Sequence, residues 1–134
     1  MGVNGVGNPV DIAVSGLRAQ SLRLNVISAN IANINSRTES GQPYRRSEVV
    51  LATDGEGIGE VNIVQVAVDM ATEFKSVYQP GHPDADDSGY VLMSNVDLPT
   101  EMTQLLMASR AYQANAAVLK RYTEMMDITT ELLR

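Results

Sequence analysis

The sequence predicts a mainly α fold with a small β insert, in which long N- and C-terminal helices pair as a coiled coil and a β-hairpin-like lobe lies between them. Three observations lead there. Asp97 to Arg134 reads as one helix with no stop signal, Asn8-Pro9 opens another, and between them the apolar period changes to two with Gly and Pro punctuation. The chain then divides into a flexible lead (residues 1–8), an N-terminal axial helix (9–35), a loop and β-rich insert (36–96) and a C-terminal axial helix (97–134).

The C-terminal helix is apolar on two faces. Leu98, Leu105, Tyr112, Leu119, Met126 and Leu133 alternate with Met102, Ser109, Ala116, Thr123 and Thr130 in the spacing of a coiled-coil seam. One layer is bulky and the other small, so a partner backbone can come close. A second stripe runs through Met107, Ala111, Ala114, Val118, Met125, Ile128 and Leu132. Leaving half a dozen such side chains in water forgoes on the order of 5–10 kcal/mol of burial, which self-association recovers.

The N-terminal helix supplies a matching seam. Val10, Leu17, Leu24 and Ile31 interleave with Ala13, Gln20, Ile27 and Ile34. Asn8 suits the N-cap, Pro9 the first helical position, and Asp11 the positive end of the dipole. At roughly 1.5 Å per residue, the second helix outreaches the first and overhangs it.

Composition narrows the class. With 134 residues, 44% of them hydrophobic and 19% charged, the chain has the profile of one globular domain. It lacks Trp, has one Phe and seven Met, which suits adaptable helix–helix contacts. A net charge of −6 argues against nucleic acid or an anionic membrane as partner. The absence of cysteine leaves the redox compartment open. The Gly- and Asn-rich start has no apolar core of a signal peptide, and no apolar run reaches membrane-spanning length, so no direct membrane insertion is expected.

In the insert, Ser36 to Pro43 reads as a polar loop and Tyr44 to Leu51 as a strand with Val49 and Leu51 on one face. Asp54 to Gly59 reads as a hairpin connection and Val61 to Val68 as the returning strand. In that strand the apolar parity shifts from Val61 and Ile63 to Val64, Val66 and Val68, the mark of a bulge near Ile63. Phe74 to Tyr78 and Tyr90 to Met93 suggest two further short strands.

Catalytic or metal chemistry finds little footing. His82 is the only histidine and has no companion base or nucleophile in its proline-bracketed loop. Asp84, Asp86, Ser88 and Gly89 copy the first half of a calcium loop, but its twelfth position is Asn95, so the run reads as an Asx-rich turn. No cofactor and no catalytic or metal residue is assigned.

The run Asn25-Val26-Ile27-Ser28-Ala29-Asn30-Ile31-Ala32-Asn33 resembles the N-terminal motif of the flagellar axial proteins, the rod and hook family. Physically, amides at Asn30 and Asn33 near a helix exit can meet carbonyls left without intrahelical partners. Gly41-Gln42-Pro43-Tyr44-Arg45-Arg46, Tyr78-Gln79-Pro80-Gly81-His82-Pro83-Asp84-Ala85, Gly89-Tyr90-Val91 with Met93, and Ala108-Ser109-Arg110-Ala111-Tyr112-Gln113-Ala114-Asn115 narrow the likeness to the proximal-rod members of that family. Two features depart from the pattern. Ser94 stands where proline is common, implying a less rigid approach to the last helix, and the lead is unusually glycine-rich.

The resemblance implies a non-enzymatic structural subunit of the bacterial flagellar basal body. It implies export by the flagellar type III apparatus without a cleaved signal peptide, and polymerisation into the torque-transmitting rod that spans the periplasm. The implied partners are other copies, other rod proteins and adjacent basal-body proteins. From the residues themselves, the expected assembly interface comprises Leu17, Leu24, Ile27 and Ile31 on the first helix. On the second it comprises Leu105, Met107, Tyr112, Val118, Leu119, Met125, Met126, Ile128 and Leu132, with Gln113 and Asn115 as a polar element. A calcium-binding module and a cytoplasmic coiled-coil scaffold are the alternatives.

Overall fold

A computed structural model of the chain describes residues 7–53 and 59–134. Its elements run α1 (Pro9–Ala32), β1 (Ser47–Thr53), β2 (Val61–Val68), β3 (Lys75–Tyr78), β4 (Tyr90–Met93) and α2 (Leu98–Leu132). Most of the expected lead (residues 1–6) and the hairpin connection at residues 54–58 lie outside the described residues.

Both helices begin where side-chain oxygens meet free N–H groups. The Asn8 Oδ1 accepts from Val10 N at 3.1 Å, with Pro9 at the first position and Asp11 in the first turn. The Asp97 carboxylate accepts from Thr100 N at 3.3 Å and pairs with Lys75 Nζ at 3.2 Å. α1 ends at Ala32, earlier than the expected residue 35, where the bonding tightens: Ile34 N and Ser36 N donate to the carbonyls three residues back, Ile31 O at 3.5 Å and Asn33 O at 2.9 Å. Thr103, Thr123, Thr129 and Thr130 of α2 each return a hydroxyl to the carbonyl four residues earlier.

The helices pack antiparallel. Asn30 meets Glu101, and Gly16 meets Asn115 at the same spacing along both helices. A Cβ on Gly16 would lie 2.7 Å from Asn115 Nδ2, so glycine permits this approach. Continued outward, that register sets Pro9 opposite Tyr122. Every residue from Thr123 to Leu132 is exposed, a projection of about 15 Å. The expected overhang is therefore present.

The face of α2 turned to α1 differs from the expected seam. Its layer is Glu101, Ala108, Asn115 and Tyr122, one residue before Met102, Ser109, Ala116 and Thr123, which is roughly a 100° rotation. Leu105 and Leu119 remain half-buried, but Leu98, Met102 (53% exposed), Tyr112 (40%) and Met126 face outward. Close approach of small residues decides the rotation. Ala13, Gly16, Ala19 and Ala108 are buried, and a seam of Leu, Met and Tyr would hold the backbones further apart. On α1, Ile27 is buried and Leu17, Leu24 and Ile31 are half-buried.

The insert forms two separate two-stranded antiparallel sheets, β1-β2 and β3-β4, in place of one hairpin-like lobe. In the first, Val50 pairs with Gln65 and Leu51 with Ile63, so the extra residue is Val64, beside the expected bulge. β1 starts three residues late because the Tyr44 to Arg46 segment is held by other partners: Tyr44 N donates to Ser36 O at 3.0 Å and Arg46 N to Asn95 Oδ1 at 2.7 Å. The hairpin lies back along α1, with Ser47 bonded to Asn30 and Val61 N to Ser15 Oγ at 3.0 Å.

In the second sheet Tyr78 faces Tyr90 edge-on at 5.3 Å. Gly89 closes the loop between them at φ +84°, and an added Cβ would come within 2.9 Å of the Tyr78 ring. Ser94, expected to loosen the approach to α2, is buried, and its Oγ accepts from Val96 N at 3.2 Å.

Candidate assembly interface

A polar junction fixes the root of the helix pair to the insert. Asn30, fully buried at the end of α1, donates from Nδ2 to Ser47 O at 2.8 Å and to Glu101 Oε2 at 3.3 Å. Its Oδ1 accepts from Tyr44 Oη at 3.0 Å and Ser47 N at 2.9 Å. Glu101, 1% exposed, takes Arg46 Nε at 3.0 Å. Arg46 reaches on to Asp69 at 3.3 Å and Glu48 at 3.4 Å, while Asn95 ties Arg46 N to the carbonyls of Asp69 and Thr72. Burial works against the Arg46 charge, but the hydrogen bond and charge of Glu101 outweigh it and hold the pKa above its usual value.

Asp69 adds a pH signature. Its carboxylate accepts from the N–H and hydroxyl of Thr72, then from Arg46 and Ala71 N, which lowers its pKa from 3.8 to about 2. A depressed carboxylate stabilises the fold fully above its unfolded pKa and loses that effect as pH falls through its folded one. The stability gap between the wild-type chain and Asp69→Asn is therefore expected to be constant near neutral pH and to close as pH drops from 3.8 to about 2. Denaturant midpoints across that range measure it, and a gap unchanged at the acid end excludes this role for Asp69.

The Asn motif divides its labour. Asn33 sits at the C-cap and its Nδ2 donates to the Ala29 carbonyl, which already takes the Asn33 N–H and so is not one left free; Asn30 acts across the core instead of on its own helix, and Asn25 is exposed. Glu101 is absent from the expected interface, Asn95 enters the sequence only as the failing twelfth position of the calcium-like loop, and Tyr44 and Arg46 only as members of a strand and of a family run. The one signal was Glu101 itself, a carboxylate in line with Ala108 at heptad spacing.

Above the junction, the larger side chains of the second stripe of α2 lie in the open, while Ala111 is half-buried. Met107 is 65% exposed, Val118 54%, Met125 66% and Leu132 80%, with Ile128 similarly bare. Tyr112 with Leu17 and Asn25 lines a shallow depression on the other side of the pair. A deeper groove of about 490 Å³ lies between α1, β1 and α2, bounded by Gln20, Arg23, Val49, Gln104, Met107 and Ala111.

The calcium-like loop spends its oxygens locally. Asp86 Oδ1 accepts from Ser88 N and Tyr90 N, both at 2.9 Å, and Asp84 pairs with Arg37 at 3.1 Å. His82 Nδ1 accepts from Asp84 N at 3.1 Å. This is the Asx turn expected of the sequence. Among the described residues, no helix is long and apolar enough to cross a membrane.

The family profile described as "Flagella basal body rod protein" matches residues 11–39, and that described as "Flagellar basal body rod FlgEFG protein C-terminal" matches residues 87–132. The chain is 49% identical to the flagellar basal-body rod protein FlgC of Salmonella typhimurium, over 89% of this chain and 91% of that one. The chain belongs to the FlgC family. It is also 38% identical to the FlgC of Agrobacterium fabrum, over 92% of this chain and 91% of that one. With the FlgC of Borreliella burgdorferi identity is 36%, over 97% of this chain and 99% of that one. The two profiles fall on α1 and on β4 with α2, so the shared rod pattern covers the helix pair and omits β1, β2 and β3. Of the junction, the matched segments contain Asn30, Asn95 and Glu101, while this chain's Arg46 and Asp69 lie between them.

Proposed function

We propose that this FlgC-family chain is a structural, non-enzymatic subunit of the flagellar basal-body rod that assembles through its terminal helices into a torque-transmitting axial tube. The observation that carries this is the bare apolar stripe Met107, Val118, Met125, Ile128 and Leu132 on a helix that outreaches its intrachain partner. Side chains of this size recover burial when neighbouring copies stack on them, and such heterologous contacts build an open helical polymer.

In this reading α1 and α2 form the stem of each subunit, paired as a coiled coil along the seam recentred on Glu101, Ala108, Asn115 and Tyr122. The junction around Asn30 fixes the insert on that stem. Leu17, Leu24, Ile31, Leu105, Tyr112, Leu119 and Met126 border the stem and complete the interface, and the half-exposed positions close when neighbours arrive. The partners are other copies, other rod proteins and adjacent basal-body proteins. The chain reaches the proximal rod in the periplasm through the flagellar type III apparatus, without cleavage of a signal peptide and without inserting in the membrane.

Replacing Val118 and Met125 together with Asp is expected to stop incorporation into the rod while export continues. Basal-body fractions from motility-tested cells, probed beside the exported pool, measure both. Motile cells with normal rods would place the interface elsewhere.

A further inference from the structure

The groove between α1, β1 and α2 is built as a socket, yet its own chain cannot fill it. Arg23 lines it half-buried and belongs to no ion pair among the described residues. Glu48 on the β1 rim is tied to Arg46 at 3.4 Å. The groove runs along α1 from Gln20 to Ile27 and along α2 from Gln104 to Ala111, about 10 Å of each helix.

The free end of α2 has the complementary shape and charge. Met125, Ile128 and Leu132 form an apolar row about 10 Å long. Glu124, Asp127 and Glu131 form an acidic row beside it at helical spacing. Because α2 is unbroken from Leu98 to Leu132, its far end cannot bend back to a groove that starts at Gln104 of the same helix.

We propose that this groove receives the projecting end of α2 from a second copy, with Met125, Ile128 and Leu132 against Met107 and Val49 and the acidic row beside Arg23. The proposal rests on the reading of α2 as an assembly element and names its receptor. Each copy then offers one projecting end and one socket, so docking leaves both kinds of surface available at the ends of a growing stack.

The absence of native cysteine makes the test clean. Chains carrying Met107→Cys and chains carrying Ile128→Cys are mixed at full length and treated with a short bismaleimide, with Tyr78→Cys replacing Met107→Cys as an exposed control. The expected yield of the groove pair is at least about tenfold above the control. Arg23→Glu lowers it about tenfold, and Asp127→Arg with Glu124→Arg on the partner restores it. A groove pair no better than the control overturns the proposal, as does a basal-body preparation in which Met107→Cys crosslinks only to other rod proteins. If the Val118→Asp and Met125→Asp chain fails to assemble while the groove pair stays at control level, helix-driven assembly stands and the socket assignment falls.

Discussion

Glu101→Ala is expected to destabilise the folded chain by about 3 kcal/mol, near the lower end of the 3–5 kcal/mol typical of breaking a buried ion pair. Loss of the carboxylate strips Arg46 of its most buried partner and leaves Asn30 Nδ2 with Ser47 O alone. Asp69 and Glu48 still face Arg46, which keeps the figure from the upper end. On a domain whose whole stability is about 5–15 kcal/mol, the loss is large. Urea unfolding of the purified chain measures it. Combining Glu101→Leu with Arg46→Met should recover most of the loss, because exchanging both charges for apolar groups leaves neither one stranded. Single variants each within about 0.5 kcal/mol of wild type would show that the junction does not hold the stem.

Truncation after Tyr122 has the opposite profile. The segment from Thr123 onward is exposed and lies beyond the reach of α1, so its removal is expected to change the stability of the isolated chain by less than about 0.5 kcal/mol. Assembly should be abolished. In the full-length chain at low concentration, amides beyond Tyr122 should exchange quickly, while those between Glu101 and Asn115 are protected by packing on α1. Rods built normally by the truncated chain would sink the assembly role of the projection. Full protection of Thr123 to Leu132 in a dilute monomer would remove its cause.

Much of this architecture was legible because it rests on local rules. Asn8 with Pro9 marked the start of α1, the parity shift after Ile63 marked the bulge at Val64, and the Asp84 to Gly89 run marked an Asx turn. What stayed hidden depends on residues far apart in the chain. Asn30, Arg46, Asp69, Asn95 and Glu101 meet only after folding, and no spacing joins them. The seam was misplaced for a related reason. A wheel drawn by hydrophobic size favours Leu98, Met102 and Tyr112, whereas the packed helices favour the closest backbone approach, at Gly16, Ala13 and Ala108. The division of the insert into two sheets was equally hidden, since short strands announce themselves but not their partners.

The threonine hydroxyls of α2 gather toward its free end. Such hydroxyls compete for the carbonyls of the helical ladder and let it bow. Three of the four, on Thr123, Thr129 and Thr130, sit past Tyr122, whereas the shaft near Glu101 is clamped from the side. A helix clamped at its root and back-bonded along its free end is expected to flex first past Tyr122, in the length that no part of α1 supports, and relaxation measurements on the isolated chain would locate that hinge.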